Sequence, residues 1–281
     1  MDIPVLFNDR IIAKSKLTIS PEDRGYYFGD GVYEVFRIYN GKLFATEAHL
    51  QRLVHSAQGI NLQLPCSTDE IMQRMERLLD TSAVQEGILY LQITRGIAPR
   101  THLIPDHLEP VMYAYCSELA RPLSNMESGI AAITMPDIRW HLCHLKTLNL
   151  LPNTLAKQQA KEQGADEAIM HRDGRVTECS ASNFMIVRDD KIFTHPADQW
   201  ILPGITRQIV SQLAAYMGIT MVEAPFTVDD LQHANEAFIT GTTTEITPIV
   251  KIDGRAVGSG VPGPITRRLQ DALERMIQTN G

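Results

Sequence analysis

The order of strand and helix patterns predicts a mixed α/β (α+β) chain of two domains. Three observations carry that expectation. Hydrophobic residues make up 44% and charged residues 21% of 281 positions, enough apolar material for more than one small core. Short strand patterns alternate with amphipathic helix stripes along the whole chain. At Glu118–Asn125 an apolar strand gives way to ELARPLSN, a polar run with a proline, which separates domains 1–118 and 125–281 by a linker at 119–124.

In the first domain, Val5–Asn8 and Ile11–Ala13 read as a short hairpin. Val32–Tyr39 and Lys42–Ala45 flank Asn40-Gly41, the strongest short hairpin signal. Leu50, Leu53, Val54 and Ala57 form a helical stripe within Glu47–Ile60. A second helix follows from Ile71, Met75, Leu78 and Leu79, with Ser67 or Thr68 as its cap. Gly87–Gly96 and Val111–Ser117 complete the sheet. In the second domain Ile130–Thr134 reads as a strand. Leu148–Gln163 reads as a helix interrupted by Pro152 and ended by Gly164. Hairpins turn at Asp173-Gly174, Asp189-Asp190 and Asp253-Gly254, and Thr206–Met217 and Pro264–Gln278 are patterned as helices. No internal repeat or low-complexity tract interrupts this order.

A net charge of −7, from 26 basic against 33 acidic residues, argues against a nucleic-acid binder. Cys66, Cys116, Cys143 and Cys179 show no paired spacing, which suits reduced thiols in a cytoplasmic chain. The start, MDIPVLFNDR, is not patterned as a signal peptide, and no apolar run is long enough for a membrane span.

Two motifs invite misreading. Gly258-x-Gly260-x-x-Gly263 fits a dinucleotide fingerprint, yet only 18 residues follow it, too few for a βαβ unit, so it reads as a loop before the last helix. His141, Cys143 and His144 are closely spaced, but no further ligand pair accompanies them, and no metal site is expected.

Anion chemistry is better supported. Gly204-Ile205-Thr206 opens a helix, where converging N–H groups and the helix dipole favour negative charge. Gly241-Thr242-Thr243-Thr244 offers hydroxyls after a strand. Each alone is ordinary capping or turn chemistry. Lys146, flanked by Leu145 and Leu148 with no acid nearby, would in that apolar setting be a desolvated and so nucleophilic amine, although its local context alone favours a surface lysine. Glu178 is a carboxylate before the small residues Ser180, Ala181 and Ser182. Arg100 and His102 could together grip a carboxylate.

These residues lie in strings that resemble the fold-type IV pyridoxal phosphate enzymes: RGYYFGDGVYEVFR, HLQRLVHSA, DIRWHLCHLKTLNLLPNTLAKQ, VTECSASNF, ILPGITR and TGTTTEITP. They run from residue 24 to residue 248 in the family's order. The resemblance implies a small N-terminal domain, a larger domain with a barrel-like sheet that binds pyridoxal 5'-phosphate, and a homodimer. It implies that Lys146 bonds the cofactor as a Schiff base and that Glu178 meets its pyridine nitrogen. Arg52, Ile205, Thr206 and Thr242 would hold the phosphate. Within the family, RGIAPRTHLIP is most similar to the loop of D-amino acid transaminases, which implies that Arg100, His102 and Tyr33 hold the substrate carboxylate. The implied reaction moves the amino group of a D-amino acid such as D-alanine to a 2-oxo acid such as 2-oxoglutarate. Branched-chain L-aminotransferases and aminodeoxychorismate lyases share the fold and cofactor and remain alternatives, as does a cofactor-free protein that binds anionic metabolites. Ala181 departs from a serine found in some relatives, and His144 stands where an aspartate is frequent.

Overall fold

The computed structural model describes residues 2–280, in two compact units. The first comprises residues 2–120 with Leu145–Asn149; the second comprises Arg121–His144 and Leu150–Asn280. The chain is mixed α/β, as expected.

The first unit runs β1 (Pro4–Phe7), β2 (Arg10–Ala13), α1 (Arg24–Phe28), β3 (Gly31–Tyr39), β4 (Lys42–Leu43), α2 (Thr46–Gly59), α3 (Thr68–Ser82), β5 (Gly87–Thr94) and β6 (Val111–Glu118). Its six strands form one antiparallel sheet in the order β2-β1-β6-β5-β3-β4. Alternation sends Val32, Phe36, Leu89, Leu91, Met112 and Ala114 to one face, where they pack with Leu50, Leu53, Ile71 and Met75 of α2 and α3. Ser67, not Thr68, caps α3: its hydroxyl accepts from Glu70 N, and Glu70 reaches back to Ser67 N. The five-residue α1 has no apolar stripe that pattern reading would find.

The second unit runs α4 (Leu123–Ser128), β7 (Ile130–Pro136), α5 (Leu151–Glu162), β8 (Glu167–Arg172), β9 (Arg175–Cys179), β10 (Asn183–Arg188), β11 (Lys191–Thr194), α6 (Ile205–Tyr216), β12 (Met221–Glu223), β13 (Glu236–Gly241), β14 (Glu245–Ile252), β15 (Arg255–Ala256) and α7 (Pro264–Asn280). Its sheet has the order β12-β11-β10-β13-β14-β7-β8-β9, with β15 beside β14. The end strand β9 returns to β10, where Cys179 N donates to Ser182 O, so the sheet curls into a half-barrel. Phe184, Ile186, Ile239 and Ile249 fill its core.

Two sequence readings need correction. The helix expected at 148–163 begins only at Leu151, with Pro152 inside its first turn. Proline there starts the helix rather than interrupting it, because the N–H it lacks has no acceptor at a helix start. Leu148 is instead bonded to Gly31 O on β3. The second concerns the stretch expected as a linker, 119–124, whose last two residues, Leu123 and Ser124, open α4. The turns fared better. Asn40-Gly41, Asp173-Gly174, Asp189-Asp190 and Asp253-Gly254 all have positive φ at both central residues, the twist that two-residue hairpins require.

Candidate active site

In the first unit, β3 places neighbouring side chains on opposite faces. Glu34 points to α2, whose residues 49, 52 and 56 share one side of the helix. Arg52 grips Glu34 through Nε and Nη2, both at 2.8 Å, and His49 Nδ1 donates to the same carboxylate at 2.8 Å. Burial would raise the Glu34 pKa, but the Arg52 charge and hydrogen bonds overcome it and hold the group at about 2. Burial pushes the His49 pKa down. Arg52 is thus fixed at the helix surface by a permanent anion.

Ser56 Oγ, one turn further, accepts from Lys146 N at 3.0 Å. Lys146 O accepts from Tyr33 N at 3.1 Å, and Thr147 bridges to Val32. Both backbone polar groups of Lys146 are therefore committed, and its side chain has a defined direction. Nζ lies 4.1 Å from the centroid of the Tyr33 ring, and Tyr33 in turn stacks on Tyr90. β3 thus sets Tyr33 against Lys146 and Glu34 against Arg52, and α2 holds the Lys146 backbone through Ser56.

Arg100 and His102 are exposed, on the connection between β5 and β6. Both lie at the ring of Phe28: the Arg100 guanidinium is 5.3 Å from its centroid, and His102 meets it edge-on at 5.7 Å. The structure thus joins these two to each other through Phe28, whereas Tyr33 stands with Lys146.

In the second unit, Glu178 is a buried residue of β9, one position before its end. Its carboxylate accepts from Arg139 Nη1, from Asn183 Nδ2 at 2.8 Å and from Leu202 N at 3.1 Å. Burial raises its pKa, against the pull of Arg139. Arg139 is itself clamped by Asp137 through Nε and Nη2 at 3.0 and 2.8 Å. Asp137 also accepts from Thr177 Oγ1 at 2.9 Å. Burial acts to raise Asp137, but the Arg139 bonds win and hold it at about 2.

Asn183 assembles the rest. Its amide donates to Leu202 O at 2.8 Å as well as to Glu178, and its backbone pairs with Thr240 of β13. Gly204 abuts it so closely that a Cβ there would stand 2.0 Å from Asn183 Oδ1. Gly204 is the N-cap of α6 and gives it no side-chain cap, so the first N–H groups of the helix, at Ile205 and Thr206, lack that partner. Thr240 and Thr244, either side of Gly241 and Thr242, have buried hydroxyls with no hydrogen-bond partner. A bare helix start beside unsatisfied hydroxyls suits a phosphate dianion.

The glycine string Gly258–Gly263 has another use. It leads into α7, whose first N–H groups at Ile265 and Thr266 are taken by Glu236 at 2.9 and 2.8 Å. His141 stacks edge-on against Trp200, and Cys143 N bonds Gln199 O.

Residues 31–252 match the family model of the amino-transferases of class IV. This chain belongs to the class IV aminotransferases. Among its relatives of known activity, the D-alanine aminotransferase of Listeria innocua is 48% identical over 281 residues, covering 99% of this chain and 97% of that one. Those of Bacillus licheniformis and Staphylococcus aureus are 46% and 42% identical; the matches cover 97% and 98% of this chain and 96% and 98% of theirs. Among solved structures, the branched-chain aminotransferase of Escherichia coli superposes with a TM-score of 0.94 at 26% identity, covering 99% of this chain and 95% of that one. The holo form of the Thermobaculum terrenum branched-chain enzyme, which carries pyridoxal phosphate, gives 0.90 at 26% identity, covering 100% and 95%.

For this class IV aminotransferase, sequence reasoning missed Glu34, His49, Asp137, Arg139 and Asn183 as site builders. Asp137 and Arg139 sit inside a string that carried the resemblance, but an ion pair spanning 39 positions, Arg139 to Glu178, leaves no local signal.

Proposed function

We propose that this enzyme transfers the amino group of D-amino acids such as D-alanine to a 2-oxo acid such as 2-oxoglutarate, giving a 2-oxo acid and D-glutamate, with pyridoxal 5'-phosphate as cofactor. The observation that carries the reading is Lys146: an amine over the Tyr33 ring, with both backbone polar groups pinned. The D-alanine aminotransferases at 42–48% identity support the choice of D-amino acids over the branched-chain alternative, which rests on structures at 26%.

In this reading Lys146 holds the cofactor covalently, and Arg52, Ile205, Thr206 and Thr242 hold its phosphate. Glu178 keeps a negative charge at the pyridine nitrogen, and Arg139 and Asn183 stop that carboxylate from turning away. When bound, pyridoxal phosphate supplies the electron sink that lets an amino-acid α-carbon lose its proton. Lys146 Nζ would take that proton from the α-carbon and return it to the cofactor-side carbon two bonds away, beyond the amino nitrogen; one positioned base of this kind contributes roughly 10²–10⁴-fold. Arg100, His102 and Tyr33 hold the α-carboxylate, and so decide which hand of the substrate turns its C–H toward Lys146.

The division into a small N-terminal domain and a larger cofactor-binding domain belongs to the same proposal, as does a cytoplasmic homodimer. Four free cysteines support the compartment. No helix among the described residues is long and apolar enough to cross a membrane. Light scattering should give twice the mass of one chain. The purified protein should be yellow; D-alanine should bleach its visible band and L-leucine should not. Bleaching by L-leucine alone would overturn the choice of substrate hand.

A further inference from the structure

We infer that Arg24 is a positioning residue for substrate recognition: it holds the Arg100–His102 segment at the angle from which those residues meet a carboxylate. The inference rests on the assignment of Arg100 and His102 to the substrate carboxylate.

Arg24 is only 4% exposed, unusual for an arginine. Its Nη1 donates to two carbonyls of the segment, Thr101 O at 2.8 Å and Leu103 O at 3.3 Å, so it brackets His102. Its Nε donates to Asp30 at 2.8 Å, and Asp30 is held from the other side by Arg95 at 2.9 Å. The Arg24 guanidinium also lies 4.9 Å from the Phe28 centroid, so Arg24 and Arg100 both contact the one ring that His102 meets edge-on. Arg24 N donates to Gly96 O at 2.9 Å, and Ala98 N to Glu22 O at 3.1 Å, which ties the root of the same segment to the start of α1.

The other end of α1 reaches the lysine segment, because Asn149 Nδ2 donates to Gly29 O at 3.2 Å. A five-residue helix would hardly persist alone. Here it is fastened at both ends, and the Arg24 side chain bonds the segment's backbone at Thr101 and Leu103. Lysine could not replace it, since one ammonium cannot span Asp30 and two carbonyls with the same fixed fork.

The test combines Arg24→Met, Arg100→Ala and the double variant, assayed with D-alanine, with trypsin cleavage after Arg100 as a readout independent of turnover. Arg24→Met should raise KM on the order of tenfold and leave kcat within about twofold, since it removes binding contacts rather than the proton-moving group. It should also speed cleavage after Arg100. In the Arg100→Ala background it should add little further to KM, because both act through one element. If Arg24→Met does not fold, Arg24→Lys carries the same expectations. An unchanged KM in Arg24→Met with a raised KM in Arg100→Ala would overturn the role of Arg24 alone. An unchanged KM in Arg100→Ala would overturn the carboxylate assignment beneath it. Multiplying effects in the double variant, or an equal loss of kcat, would make Arg24 merely structural.

Discussion

At the residue scale, the site depends on charges that are fixed before any ligand arrives. Lys146→Ala should abolish the visible absorption of the purified enzyme and nearly all turnover; a spectrum and an assay check both. Lys146 was visible in the sequence only through the strings around it, since its local context, with Leu145 and Leu148, favours a surface lysine. Glu34 makes a pH-dependent contribution. Its pKa is about 2 in the fold against an ordinary 4.5, so its stabilising effect is fully present above pH 4.5 and is lost as pH falls toward 2. That shift is worth about 3 kcal/mol. Glu34→Gln should therefore flatten acid unfolding in this window and, at neutral pH, loosen Arg52. Acid titration followed by circular dichroism would detect an unchanged profile, which would rule the effect out.

At the element scale, the start of α6 and its link to Glu178 differ in how far the sequence disclosed them. The start of α6 was legible, because a Gly-Ile-Thr run before an amphipathic stripe marks a helix N-terminus. Its relation to Glu178 was not, because Asn183 makes the link across β9, β10 and the segment before α6. Gly204→Ala would drive a methyl group against Asn183 Oδ1. We expect weaker cofactor retention on dialysis, read from visible absorbance, and retention equal to the parent would count against this account. The cap of α3 is a control without functional consequence: Ser67→Ala should cost about 1 kcal/mol and lower the thermal midpoint, with kcat and KM unchanged. Hairpin turns were read correctly because Asn, Asp and Gly tolerate positive φ, a local property. The start of α5 was misread because a tertiary bond, Leu148 N to Gly31 O, competes with helix formation.

At the scale of the whole molecule, each of the two compact units has its own fixed charges: an oriented lysine and a clamped arginine in one, a buried carboxylate and a helix start without a side-chain cap in the other. A panel of D- and L-amino acids should separate the D-amino acid reading from the branched-chain one, with D-alanine turned over and L-leucine, L-isoleucine and L-valine not. The sequence by itself determined the mixed α/β class, the turns, most helices and the order of family strings, because patterning and turn chemistry are set by neighbours in the chain. Only the tertiary structure decided that Glu34 and His49 clamp Arg52, that Asp137 and Arg139 brace Glu178, and that Arg24 brackets His102. Each of these is a buried charge whose partner lies on another element or far along the chain. Burial makes the pairing obligatory, and only the fold says which partner is near enough to meet it.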